Sequence, residues 1–306
     1  MQIVVVGAGV QGTLYGVRLA RAGHAVTLIA RGRRAQELRH LGAVIEHALT
    51  GEREMRRLPV APALTPEMSA DLCLVTVRRE QLAGTLAEVM QARGISRALV
   101  MVNYAGRASE LFAHLERSRV VLGFPGAAGS IENGVDRYVE VVEQPTAVDA
   151  SASDIAILLR AAGFRVALIR DMESWLCRHA VFVTAVGGAL YESGLDAQRL
   201  ASDPERVRKV ISAVREGWAG MDRQGIGPPP LLLRAMMRWS PLWFAAMYWC
   251  RLLGSPRGGY YFVPHFRHAA KEMAAIADDV RALLHGEPMP TLGRLYAAID
   301  AAAVDK

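Results

Sequence analysis

Lysine is scarce in this chain. Of the 36 basic side chains among 306 residues only three are lysines, Lys209, Lys271 and Lys306. Any chemistry in the first 208 residues that needs a lysine amine is therefore excluded. Cysteine is scarce as well: Cys73, Cys177 and Cys250 stand alone, with no CxxC pair. That excludes a disulfide framework and a cysteine zinc site, and fits reduced thiols in a cytoplasmic protein with no metal. The uncharged aromatic stretch Trp239 to Cys250 is 12 residues long and contains Pro241, short of the ~20 residues that span a bilayer. After Met1-Gln2 the chain runs straight into a strand with no basic leader, so no signal peptide is expected.

What is abundant is apolar. A composition 52% hydrophobic and 22% charged belongs to a folded globular protein, and the length suits two domains. The net charge of +6 is local: residues 1 to 60 hold nine arginines against Glu37, Glu46, Glu52 and Glu54. No basic run is interleaved with aromatics, so a nucleic-acid partner is not expected.

The first 170 residues alternate apolar strands (Ile3 to Val6, Ala25 to Ile29, Leu72 to Val75, Leu99 to Val102, Val120 to Leu122) with helices (Thr13 to Ala22, Glu80 to Ala92, Ser109 to Glu116). That pattern describes an α/β domain with a parallel sheet covered on both faces. A hairpin is expected around Thr50-Gly51; strands Tyr138 to Val142 and Arg165 to Ile169 follow, with a helix near Ser153 to Ala162 between them. Beyond Asp171 the pattern is helical only: Glu173 to Tyr191, Pro204 to Gln224, Leu231 to Trp239, Leu242 to Leu253, His265 to Leu284 and Leu292 to Ala302. The division expected is a domain 1–170 and an all-helical domain 171–306.

Gly7-x-Gly9-x-x-Gly12 follows the first strand directly and opens the first helix, with a second strand about 20 residues on. In that context Gly7, Ala8, Gly9, Val10, Gln11 and Gly12 form a turn whose backbone N–H groups can meet a pyrophosphate. At the end of the second strand, where an acid would accept the ribose 2′-hydroxyl of NAD, stands Ala30-Arg31-Gly32-Arg33-Arg34. Guanidiniums there suit a 2′-phosphate, so NADPH is expected, with Arg31 as the first contact.

With these residues in view the chain resembles the ketopantoate reductase (2-dehydropantoate 2-reductase) family along its length. The resemblance rests on GAGVQGTLYGVRLARAGHAVTLIAR, Thr76-Val77-Arg78, Val102-Asn103-Tyr104-Ala105-Gly106, the Trp175 segment and Glu272-Met273. It implies a Rossmann domain followed by a helical domain like the C-terminal part of 6-phosphogluconate dehydrogenase, and reduction of a 2-keto acid by NADPH in the cleft between them. It also implies Asn103 beside nicotinamide and substrate, Arg78 where the family commonly has lysine, and Glu272 as the family's late glutamate. The family's catalytic lysine lies two residues after a tryptophan, followed at steps of four by two asparagines. Those positions here are Cys177, Val181 and Ala185.

Three residues are candidates to donate the proton in place of that lysine: Cys177, His179 and Tyr104. His179 lies about 200° around the helix from Cys177. Lys209 and Lys271 are poorer substitutes. The aromatic segment Trp239 to Trp249 reads as an interior or homodimer-contact helix, as a greasy lid over the site, or as a membrane-surface helix. A lid, with Val181 and Ala185 replacing amides, points to a substrate less polar than ketopantoate. The expected activity is reduction of a ketone or 2-keto acid. An imine substrate, or an NADPH-binding regulatory protein without catalysis, stands as the alternative.

Overall fold

Four consecutive apolar residues, Ile3 to Val6, form the buried body of strand β1 (Gln2–Val6). It has parallel neighbours on both sides, as a continuous apolar run requires. The computed structural model describes residues 1–106, 117–229 and 231–304. Two compact units result, Met1–Val102 with Ala108–Met172, and Asn103–Arg107 with Glu173–Lys306.

The strands of the first unit continue as β2 (Ala25–Ile29), β3 (Ala43–His47), β4 (Arg53–Arg56), β5 (Val60–Ala61), β6 (Ser69–Ala70), β7 (Leu72–Val75), β8 (Gly94–Ile95), β9 (Ala98–Val100) and β10 (Val120–Phe124). After them come β11 (Ala127–Glu132), β12 (Val135–Glu140), β13 (Thr146–Asp149) and β14 (Val166–Ile169). Eight strands make the main sheet in the order β14-β13-β10-β9-β7-β1-β2-β5. All its pairings are parallel except β10 with β13, an antiparallel joint that the sequence reading did not include. Helices α1 (Val10–Arg21), α2 (Gly32–Leu41), α3 (Leu82–Gln91) and α4 (Ser153–Ala161) connect them; the expected helix Ser109 to Glu116 lies outside the described residues. From β1 the chain goes to β2 on one side and later to β7 on the other. That reversal opens a crevice at the carboxyl ends of β1 and β7.

The expected hairpin is present as β3 and β4, antiparallel, within a second sheet ordered β11-β12-β3-β4. Its other hairpin, β11 to β12, turns through Asn133-Gly134 with φ of 51° and 81°. Asn-Gly favours that mirror-image turn, so the strand expected at Tyr138 to Val142 is one arm of a hairpin and begins at Val135.

The second unit holds α5 (Met172–Glu192), α6 (Ala197–Ala201), α7 (Pro204–Arg223) and α8 (Leu231–Arg234), which runs on as a π-helical turn Ala235–Trp239. Then come α9 (Leu242–Leu253), α10 (Pro256–His268), α11 (Ala270–Leu283) and α12 (Pro290–Val304). Residues 174–190 of α5 are all buried, so this helix is the core of the unit. Neighbours approach it closely at glycine: a Cβ on Gly188 would lie 2.4 Å from the Leu295 carbonyl oxygen. Arg178, fully buried on α5, donates to the carbonyls of Trp218 (2.6 Å), Ile226 (2.7 Å) and Gly227 (2.9 Å) and to Asp222 Oδ1 (2.6 Å).

The expected helix His265 to Leu284 is two helices, α10 and α11, broken at Ala269. Gly258, Gly259 and Pro264 depress helix propensity in α10, which hid its first turns. Its start is fixed by Ser255, whose Oγ accepts from Gly258 N (3.1 Å), with Pro256 at the first helical position.

Candidate functional site

Strand β1 ends in Gly7, whose φ of +100° turns the chain sharply back. A Cβ there would lie 2.9 Å from the Thr76 carbonyl carbon and 3.0 Å from Val77 Cγ1, so the turn abuts the segment leaving β7. A Cβ on Gly12 would lie 2.1 Å from the Gly7 oxygen, which only glycine avoids. Thr76 closes the arrangement, its hydroxyl donating to Gly7 O at 2.8 Å. Gly9 differs: its Cβ direction is open space, at the N-cap of α1 and with no acid in the first turn. Ala8 is buried beneath the turn. Gln11 is anchored by Nε2 donating to Ala127 O (2.6 Å), and its buried Oε1 has no hydrogen-bond partner among the described residues. A cradle closed by two glycines, open at the third and crowned by the N–H groups of Val10, Gln11 and Gly12, fits a pyrophosphate.

The three strand-end arginines separate. Arg34 turns inward and donates to Ala8 O (2.8 Å), Thr13 Oγ1 (3.0 Å) and the buried Asp136, so it braces the glycine turn from below. Arg33 is exposed and pairs with Glu37 at 3.4 Å. Arg31 caps α2 at the end of β2, its Nε donating to Pro62 O (3.2 Å) and its Nη2 to both Glu88 carboxylate oxygens (3.2 Å each). Arg78 is exposed just past β7, its N–H bonded to Gln81 Oε1 (3.3 Å).

The model of the family described as "Ketopantoate reductase PanE/ApbA" matches residues 3–160, just over half of the chain. The chain belongs to the ketopantoate reductase PanE/ApbA family. Its fold is similar to that of D-mandelate dehydrogenase, solved with NADH and anilino(oxo)acetate: TM-score 0.79 and 16% identity over 100% of this chain and 99% of that one. A PanE/ApbA family ketopantoate reductase from Ralstonia eutropha JMP134 gives 0.77 and 19%, covering 100% and 99%. A putative ketopantoate reductase from Ralstonia solanacearum MolK2 gives 0.76 and 18%, covering 99% and 98%.

In this member of the ketopantoate reductase family the segment beginning at Asn103 groups with the helical unit. Ala105 N–H points to Asp279 Oδ2 of α11 (3.5 Å), and Cys177 Sγ of α5 lies 3.6 Å from Gly106 O. The structure thus sets Ala105 and Gly106, which follow Asn103 and Tyr104 in the chain, against α11 and Cys177; Tyr104 and Cys177 are both buried. Asn103 is buried too, and its Oδ1 has no hydrogen-bond partner among the described residues. An acceptor buried without a donor costs about 1–3 kcal/mol, and a bound molecule that supplies the donor recovers it.

His179 stacks on the Trp175 ring one turn earlier (5.0 Å, 8° between planes) and is buried. Burial disfavours the imidazolium and pushes its pKa down to about 3. At neutral pH this ring is a neutral imidazole, a far weaker acid than an imidazolium. Glu272 is buried at the start of α11, 4.0 Å from His265 Nε2, and its charge adds to the burial that raises the Tyr191 phenol.

Sequence reasoning missed Glu88, Asp279 and His265. Asp279 was within reach, seven residues after Glu272 and on the same face of one helix. His265 lay in a helix whose boundaries were misread. Glu88 is 57 residues from Arg31, and nothing local announces that pairing.

Proposed function

We propose that this chain is an NADPH-dependent oxidoreductase that reduces the C=O group of a relatively apolar ketone or 2-keto acid, and that ketopantoate itself is not its substrate. The observation that carries the reading is the glycine cradle at the sheet's reversal point with Arg31, not an acid, at the end of β2. In the proposed division residues 1–170 hold the cofactor and 171–306 serve the substrate, in a cytoplasmic protein. Gly7, Gly9 and Gly12 with the N–H groups of Val10 and Gln11 would hold the pyrophosphate. Arg31 would hold the 2′-phosphate, and Arg78 would add positive charge nearby. Bound there, the reduced nicotinamide supplies a hydride.

The remaining work falls to Asn103, whose unsatisfied Oδ1 orients a donor on nicotinamide or substrate. Tyr104 and Cys177 would be the proton donors, with His179 held neutral, and Glu272 would order a polar group of the substrate. Val181 and Ala185, where the family resemblance implies amides, make the surroundings of Cys177 apolar. Reduction of an imine is the second reading. It is favoured by α5 itself, which has no lysine and whose histidine is a neutral imidazole, not an imidazolium, at neutral pH; an imine nitrogen is basic already.

Steady-state oxidation of NADPH and NADH tests the proposal. NADPH should bind at least ten times tighter than NADH, and ketopantoate turnover should stay near background. Equal affinities, or robust ketopantoate turnover, would overturn it.

A further inference from the structure

The helical unit leaves six large apolar side chains in solvent along one stretch: Leu231, Leu232, Trp239, Trp243, Phe244 and Met247. On α9 the division is sharp, with Ala245, Ala246, Trp249 and Leu253 buried and Trp243, Phe244, Met247 and Arg251 exposed. Spacings of three and four residues put the exposed four on a single stripe. Trp243 and Trp239 are 61% and 58% exposed, far from the usual state of tryptophan in a soluble core. The same stretch has an uncommon charge pattern. Between Asp222 and Glu272 there is no carboxylate, while seven basic residues occur from Arg223 to Lys271. Arg234 lies over the Trp239 ring at 4.7 Å and Arg238 reaches back to Asp222 at 3.0 Å; Arg251 and Arg257 are exposed.

From these observations we infer that this face binds the surface of an anionic phospholipid bilayer. Tryptophan and leucine beside arginine are what an interfacial surface needs, the rings at headgroup depth and the cations against lipid phosphates. No helix among the described residues is long and apolar enough to cross a membrane, so the contact is peripheral. A second copy of the chain fits the patch less well. A two-fold contact sets a patch against itself, and this one would oppose arginines with no carboxylate in the stretch to pair them.

The test is co-sedimentation of the full chain with vesicles of phosphatidylcholine alone, and of phosphatidylcholine with about one third phosphatidylglycerol. Binding is expected to the anionic vesicles, falling at least about ten-fold on neutral vesicles and in high salt. A triple variant, Trp243→Ser with Phe244→Ser and Met247→Ser, should lose binding by a similar factor; so should Arg251→Glu with Arg257→Glu. All five positions are exposed, and the far-ultraviolet circular dichroism and NADPH affinity of both variants should match those of the parent. The inference is overturned by absence of binding to anionic vesicles, or by variants that bind as the parent does. A dimer that the triple variant dissociates would also overturn it, because a second copy would then cover the face.

Discussion

On the proposed reading, replacing Arg31 by alanine isolates the contribution of a cofactor 2′-phosphate. Arg31 Nη2 is 3.2 Å from both carboxylate oxygens of Glu88, and the two side chains are 66% and 40% exposed. An exposed ion pair of this kind contributes about 0.2–1 kcal/mol. A charge-assisted guanidinium–phosphate contact contributes about 1.5–3 kcal/mol, so a phosphate should win Arg31 from Glu88. In Arg31→Ala the Kd for NADPH should rise about 10–150-fold, while that for NADH moves less than about two-fold. Glu88→Gln should act the other way and tighten NADPH by about 1.5–5-fold, since it removes the competitor. In the double variant the Glu88 change should have no further effect. Isothermal titration calorimetry at fixed low salt measures all four proteins against both cofactors. An unchanged NADPH-to-NADH ratio in Arg31→Ala would refute the reasoning.

Gly12→Ala places a Cβ 2.1 Å from the Gly7 oxygen and should cost at least about 100-fold in NADPH affinity together with a lower Tm. Gly9→Ala enters open space and should leave Tm unchanged while still weakening NADPH; equal effects of the two substitutions on Tm would contradict the geometry. Asn103→Ala should lower kcat/KM about 100-fold with little change in melting temperature, checked by steady-state kinetics. His179 gives a pH prediction. Burial depresses its folded pKa to about 3 from an ordinary 6.5, so the stability it confers is complete above the unfolded value and lost as pH falls below it. By ~pH 5 the loss is about 2 kcal/mol. Urea melts at ~pH 7.5 and ~pH 5 should show that difference between the parent and His179→Phe, and parallel pH slopes would refute it.

The glycine turn was legible because its signals are local. A strand, three glycines and a helix occupy a short run, and two of the glycines, Gly7 and Gly12, answer steric demands that Thr76 and the Gly7 oxygen impose. The strand-end arginines were visible as a cluster, but their division of labour was not. That Arg34 braces the turn through Asp136, 102 residues away, depends on how the second sheet packs. The helical half was legible in outline, since apolar periodicity marks α5, α7 and α9. It failed at α10, where two glycines and a proline disguised a helix fixed by its cap, and with it went His265. That Cys177 stands where the resemblance implies a lysine is legible in the sequence; the neutral state of His179 is not, because it follows from stacking on Trp175 and the depth of its burial.

Single-turnover stopped-flow oxidation of enzyme-bound NADPH, run against a panel of apolar ketones, 2-keto acids and imines with ketopantoate as reference, tests the central claim most directly. The account predicts rapid loss of nicotinamide absorbance with at least one apolar C=O or C=N compound and only background loss with ketopantoate. Tight NADPH binding with no oxidation across the panel, or oxidation by ketopantoate alone, would contradict it.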